Sequence, residues 1–307
     1  MTTSGARAFL SGLVDYAGLF PPAGLGMREA VAEYARHRRE PEAWILGRFV
    51  VPAARLVELE EALGLAAVSG AGGGDGALGL ETNPWSLSAL VGPAFAADAD
   101  AVIEFNERNS TAARVDSIEL KASLEADLEV ALEALPDGLA TFVELPLDAA
   151  LHQLLPMVKS RRALAKVRTG GLTPRDIPEP GPLAHFVASC ASLGVPFKAT
   201  AGLHHPVRAE HPLTYEEGAP RGTMHGFLNV FSAATFAREG MAESEIEAVL
   251  EETDASAFRL DEEGLALGER RVSSDELARA RQQLATSFGS CSFAEPVADL
   301  KSLGVIS

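Results

Sequence analysis

The sequence predicts an α/β protein: a single (β/α)8 TIM-barrel domain over residues 1–307 with a long loop after its seventh strand. Three observations carry that expectation. At 307 residues the chain is long enough for eight βα units. Short runs of strand character alternate eight times with segments of helical periodicity, and successive βα units require parallel strands joined by right-handed crossovers. The first strand lacks the glycine fingerprint of a dinucleotide-binding sheet, because Ala17-Gly18-Leu19-Phe20-Pro21-Pro22 has the wrong spacing and too much proline.

In chain order, the first strand is placed at 13–16, where Val14-Asp15-Tyr16 closes an apolar run, and its helix at 27–38. The second strand, 45–51, leads into a helix at 53–63. The glycine cluster over 69–79 then reads as a flexible connector on the barrel's stability face, with no role in phosphate binding. Strands at 88–91, 117–122, 141–145 and 164–168 are followed by helices at 95–108, 124–135, 149–161 and 182–193. Strand seven, 196–200, runs into the loop 203–223 and a helix at 224–238. A helix over 244–252 is an addition to the repeat. The eighth strand is placed at 257–260 and its helix at 275–285.

Composition narrows the function classes. The chain is 47% hydrophobic and 22% charged, ordinary for a globular protein. A formal charge of −17 repels a phosphate backbone, and no basic run exceeds Arg36-His37-Arg38-Arg39, so nucleic acid and anionic membrane surfaces are excluded as partners. No apolar run approaches the roughly 20 residues that span a bilayer. The first residues lack the pattern of a secretory signal, so a cytoplasmic location is expected. Cys190 and Cys291 form neither a CxxC pair nor a disulfide pattern and are read as reduced thiols, Cys291 being set aside as a nucleophile for want of a nearby histidine in the sequence.

Of 26 basic residues, 21 are Arg and five are Lys, yet Lys121, Lys166 and Lys198 all fall in strands. Coding bias accounts for the scarcity of lysine but not for its placement. Arginine stays charged at any accessible pH, whereas lysine in an apolar pocket can lose its proton and act as a nucleophile or base. Strand parity places Glu119 with Lys121, Lys166 with Arg168, and Lys198 with Thr200 on inward faces. Glu144 ends strand five, Arg48 lies in strand two and Asp15 in strand one, so charged groups should converge on the C-terminal mouth. A buried ion-pair network is the bland alternative. Each buried charge costs several kcal/mol in desolvation even when paired, so a barrel that needed packing alone would use Val or Ile. With neighbouring strands roughly 5 Å apart, Lys166 and Lys198 should repel one another, with Arg168 adding to the effect, and a neutral amine suited to Schiff-base chemistry is the expected relief.

Lys166-Val167-Arg168-Thr169-Gly170 followed by Lys198-Ala199-Thr200-Ala201-Gly202 resembles the lysine pair of the deoxyribose-phosphate aldolases. The likeness is confined to 166–202. It implies that Lys166 forms the Schiff base and that Lys198 depresses its pKa. That family also has a proton-moving Asp on an earlier strand, where this chain offers Glu119, Lys121 and Glu144. It holds a phosphate with a Gly/Ser-rich turn after the last strand, where Phe258-Arg259-Leu260-Asp261-Glu262-Glu263 is acidic and would repel one. Segments 13–22 and 202–206 are also similar to uncharacterised bacterial proteins, a likeness that implies no activity.

The long loop carries His204, His205 and His211, and His225 opens the next helix. Loops of this length at a barrel mouth are often lids. His204 and His205 precede Pro206 and should diverge, so one of them with His225 and a carboxylate such as Glu119 or Glu144 would form the alternative Zn2+ or Mn2+ site. General acid–base work and loop structuring are the other readings of these histidines. Asn229, one turn beyond His225, would bind a substrate oxygen or cap backbone. Tyr16 is a candidate proton donor or a wall residue, and Thr169-Gly170-Gly171 with Arg168 a candidate anion cradle or a plain turn.

The expected function is that of a class I aldolase-type lyase acting on a small oxygenated carbonyl compound without a cofactor. The catalytic set is Lys166, Lys198, Glu119, Lys121 and Glu144. The binding set is Asp15, Arg48, Arg168, Thr169, Gly170, Thr200, His204, His205, His225 and Asn229. The alternatives are a metal-dependent lyase, isomerase or hydrolase with His204, His205 and His225 as ligands, and a non-catalytic small-anion binder. A small anionic or carbonyl compound is the expected partner, and self-association into a homo-oligomer stays open.

Overall fold

The computed structural model describes residues 2–69, 83–136 and 138–307, so the glycine cluster expected as a connector lies outside the described residues from residue 70 onward. The chain begins with α1 (Ser4–Leu10), β1 (Val14–Tyr16), α2 (Met27–His37), β2 (Leu46–Pro52), α3 (Leu56–Ser69), β3 (Trp85–Leu90) and α4 (Phe95–Asn109). It continues through β4 (Ala113–Lys121), α5 (Glu125–Ala134), β5 (Ala140–Glu144), α6 (Leu151–Ser160), β6 (Leu164–Arg168), α7 (Pro180–Leu193) and β7 (Phe197–Thr200). A hairpin, β8 (Ala209–Pro212) and β9 (Arg221–Met224), precedes α8 (Phe227–Arg238) and α9 (Glu243–Glu251). Last come β10 (Phe258–Leu260), β11 (Gly264–Leu267), β12 (Arg270–Ser273), α10 (Ser274–Gln283), β13 (Ala285–Ser290) and α11 (Ala294–Ser302).

Strands β1 to β7 and β13 close into an eight-stranded parallel barrel, β13 lying between β7 and β1, and the fold is the TIM barrel that the alternation predicts. Helix α2 shows why the outer layer forms: Met27, Ala30, Val31, Tyr34 and Ala35 recur at helical spacing and are all buried. Helix α7 opens on Pro180, where a missing N–H costs nothing, and stops at Gly194 in the left-handed conformation. The barrel strands are covered on both faces, so their outward positions are mostly apolar and the charged groups of the upper barrel point inward. Lys166 pairs in register with both Glu144 of β5 and Lys198 of β7, and Lys121 with Glu144.

The eighth strand is not where the sequence reading puts it. Residues 258–260 form β10, the first strand of a three-stranded antiparallel sheet with β11 and β12 that packs beside α1 and α10. The helix expected to follow the last strand, α10, instead precedes it. The true eighth strand, Ala285-Thr286-Ser287-Phe288-Gly289-Ser290, escapes detection because it has one large apolar residue. Phe288 points outward against Phe227 and Phe231 of α8, and the inward positions are Ser287 and Gly289. The acidic stretch after residue 260 therefore has no bearing on the barrel mouth, where the chain reads Gly289-Ser290-Cys291-Ser292. The loop 203–223 is likewise part hairpin, and α1 and α11 were not anticipated. The helix added to the repeat exists, packed on α7 and α8. No helix among the described residues is long and apolar enough to cross a membrane.

Arg281 of α10 ties the closure together. Its buried guanidinium donates to the carbonyls of Phe9 in α1, of Ala285 at 2.9 Å and of Thr286, joining the first helix to the last strand. Replacing it with Met would strand three buried carbonyls. Arg281→Met should lower the free energy of unfolding by about 3 kcal/mol, measured as a shift in the urea midpoint.

Candidate active site

Six charged side chains alternate in sign across the upper barrel. Lys198 Nζ, 1% exposed, lies 2.6 Å from Asp15 Oδ2 and 2.6 Å from Glu119 Oε1. The other oxygen of Glu119 meets Lys166 Nζ at 2.8 Å, and Lys166 reaches Glu144 Oε2 at 3.1 Å. Arg168 Nε completes the series at 3.2 Å from Glu144 Oε1. Neutral donors finish the carboxylates: Ser88 Oγ donates to Glu119 at 2.7 Å, and Ser287 Oγ and the Arg48 N–H each donate to Asp15 at 2.8 Å. Gly47 is required beside Asp15, since a Cβ there would stand 2.3 Å from Asp15 Oδ1.

This arrangement corrects the expectation of unshielded lysines. Glu119 stands between the two amines with one oxygen on each, so carboxylates relieve the crowding. Burial works against the charged form of Lys198, but Asp15 and Glu119 outweigh it and push its pKa above the usual lysine value. Burial likewise opposes ionisation of Glu119 and Glu144. Lys166 and Lys198 outweigh it at Glu119, and Lys166 and Arg168 do so at Glu144, holding both below the usual carboxylate range.

Above this network the C-terminal mouth holds a cavity of about 580 Å3. Glu119 and Lys166, the latter 4% exposed, reach its floor, while Lys121, Arg168 and Thr200 line it nearer the rim. Phe20-Pro21-Pro22 from the loop after β1, with Leu213 and Met224, supply apolar wall. Asp15 and Lys198 lie beneath, out of reach of a ligand. Lys121 is exposed and has no ion pair among the described residues, and Arg168 is 51% exposed.

Other residues of the expected binding set lie elsewhere. Arg48 points to the opposite end of the barrel, where its Nε meets Asp116 Oδ1 at 2.6 Å beside a 410 Å3 cavity lined by Tyr34, Arg38 and Asn83. Thr169 is fully buried, its N–H bonded to Thr200 O and its hydroxyl to Ala201 O. Gly170 and Gly202 are where two loops cross: a Cβ on Gly170 would lie 2.8 Å from Gly202 Cα, and Gly202 has φ +78°. Asn229 accepts from Arg208 N–H and donates to the carbonyls of Val249 and Glu252, so it binds backbone. Tyr16 packs among Tyr34, His37 and Phe49, away from the cavity.

The histidines part company. His225 donates from Nε2 to Pro178 O at 2.8 Å and is buried, His205 Nδ1 meets Asp299 at 2.7 Å, and the His205 ring stacks on His211 at 3.5 Å. Only His204 lines the cavity, with Nδ1 2.9 Å from Glu295 Oε2 and Nε2 3.9 Å from Cys291 Sγ. Among the described residues no group of three or more His, Cys, Asp or Glu is arranged to hold a metal ion. Glu295 and the supporting Ser88 and Ser287 are site residues that sequence reading missed, and Cys291, set aside for want of a nearby histidine, does have one in His204. The one available signal was parity, since Cys291 continues the inward series of Ser287 and Gly289.

Glu119→Gln keeps the shape but leaves each buried ammonium with a single carboxylate. It should cost on the order of 3–5 kcal/mol, read from chemical denaturation. Burial opposes a charged His204, yet hydrogen bonds to Cys291 and Glu295 raise its pKa from 6.5 to about 9. A folded-state pKa above the unfolded one adds stability that is complete below pH 6.5 and is lost as pH rises through about 9. The stability difference between the parent and His204→Gln should therefore shrink across that window in thermal melts. No family model and no curated protein matches the chain.

Proposed function

We propose that this barrel is a lyase of class I aldolase type, in which Lys166 forms a Schiff base with a small, oxygenated, anionic carbonyl compound. The observation that carries the reading is the Lys166 amine on the cavity floor, held between Glu119 at 2.8 Å and Glu144 at 3.1 Å. The three carboxylates and three cations sum to zero charge. Moving the Lys166 proton to either neighbour leaves that sum unchanged, so a neutral amine forms without stranding a net charge.

That amine attacks the carbonyl carbon, and the newly protonated carboxyl returns its proton to the carbinolamine oxygen as water leaves. The resulting iminium takes up the electron pair of the Cα–Cβ bond as an enamine, while the hydroxyl on Cβ gives its proton to the Glu119 or Glu144 carboxylate and becomes the carbonyl of the departing fragment. Lys198 acts from below by keeping Glu119 ionised at rest, and Arg168 does the same for Glu144, which makes each carboxyl, once protonated, a strong donor of that proton. This assignment differs from the one the resemblance implies, in which the strand-seven lysine acts directly on its partner amine. Lys121 and Arg168, both lining the cavity, favour an anionic substrate. No step of this chemistry draws on a cofactor.

Incubation with a panel of small aldehydes and ketones plus borohydride, followed by peptide mapping, should place the added mass on Lys166, and Lys166→Arg should abolish it. Labelling spread over Lys159 and Lys301 with Lys166 untouched would reject the reading. Saturable binding of the panel with neither adduct nor turnover would favour a binding protein instead.

A further inference from the structure

A second reactive group lines the same cavity. Cys291 directly follows β13 and continues the inward parity of Ser287 and Gly289, bringing its thiol, 6% exposed, to the cavity wall. Its Sγ faces His204 Nε2 at 3.9 Å, and His204 Nδ1 lies 2.9 Å from Glu295 Oε2. Because Nδ1 meets a carboxylate it carries a ring hydrogen, so Nε2 is the nitrogen turned to the thiol, and the raised pKa of His204 favours the imidazolium in which Nε2 holds the thiol's proton. Tyr215, from the segment joining β8 to β9, donates to the same Glu295 oxygen at 3.0 Å and stands 3.6 Å from Sγ, bracing the acid and partly covering the sulfur. Nucleophile, base and orienting acid thus follow one another in the order that activates a thiol. Cys190, fully buried in α7, has no such arrangement, and burial pushes its thiol pKa well up.

We infer that Cys291, with His204 as base and Glu295 as positioning residue, is a nucleophile that adds to the carbonyl carbon of small aldehydes bearing a carboxylate. The Sγ proton passes to His204 Nε2, sulfur forms the S–C bond, and the C=O π pair moves onto oxygen. The imidazolium then returns the proton to that oxygen. The thiol adds across the carbonyl, and no oxidant or reductant is consumed. The preference for a carboxylate comes from Lys121 and Arg168, which line the same cavity. The geometry involved is independent of Lys166, so the thiol site stands or falls separately from the Schiff-base reading.

Iodoacetamide labelling of the full-length protein, followed by peptide mapping, tests the thiol. Cys291 should react at least about tenfold faster than glutathione in the same tube at near-neutral pH. His204→Ala should slow it by about tenfold or more, and Glu295→Gln severalfold. Circular dichroism checks folding, and if His204→Ala does not fold, Glu295→Gln carries the comparison. In a Lys166→Arg, Lys121→Arg background, which removes both cavity amines that could form a Schiff base and keeps the positive charge, glyoxylate should slow the labelling of Cys291 while acetate at equal concentration should not. A rate no faster than glutathione overturns the proposal. So does a rate indifferent to the folded substitutions, or protection that does not distinguish glyoxylate from acetate.

Discussion

One carboxylate, Glu119, holds two buried ammonium groups, and the upper half of the barrel is arranged around that bridge. Lone charges in this position would be costly, so each lysine requires Glu119 and each also requires a second acid, Asp15 or Glu144. The second acids come from strands on opposite sides of the lysine pair, β1 and β5. Asp15 can meet Lys198 only across the strand that separates them, and that strand is β13 with Ser287 and Gly289 facing inward. Ser287, whose hydroxyl donates to Asp15, is the β13 side chain that touches the pair. The absence of a side chain at Gly47 likewise makes room for Asp15.

The network also sorts the site by depth. Asp15 and Lys198 are sealed beneath the floor, with Lys198 additionally 5.5 Å above the Phe142 ring, a position that favours a cation. Glu119 and Lys166 are the level at which a ligand first meets the network. Lys121 and Arg168 sit nearer solvent, where their charge costs little and attracts anions. In the proposed chemistry the lower layer keeps the acids ionised, the middle layer exchanges protons, and the upper layer selects charge. Arg48 and Asp116 belong to the far end of the same strands, the end at which TIM barrels place stability in preference to chemistry.

Much of this was legible in the chain. Seven of the eight barrel strands were found at nearly their observed positions, because parallel strands covered on both faces leave dense apolar runs and the intervening helices keep their period. Inward parity correctly grouped Glu119, Lys121, Lys166, Arg168 and Thr200 at one mouth. The eighth strand was displaced to 257–260 because Phe258 and Leu260 look like a strand, and they do form one, in a separate sheet. Parity failed for Arg48 because it reports the face of a strand and not the height along it. It was silent on Asn229, Thr169 and His225, whose polar groups serve backbone carbonyls and amides that no pattern reveals.

By itself the sequence determined the alternation of elements, the closed parallel architecture and the inward set of lysines and carboxylates, because those follow from periodicities of two and 3.6 that each residue carries locally. Tertiary structure alone decided which acid meets which base. Glu119 is 79 residues from Lys198, Asp15 is 183 from Lys198, and His204 is 87 from Cys291 and 91 from Glu295. Charge and hydrogen-bonding interactions act over a few ångströms through space, and the order of residues along a chain does not contain those distances until the barrel has closed.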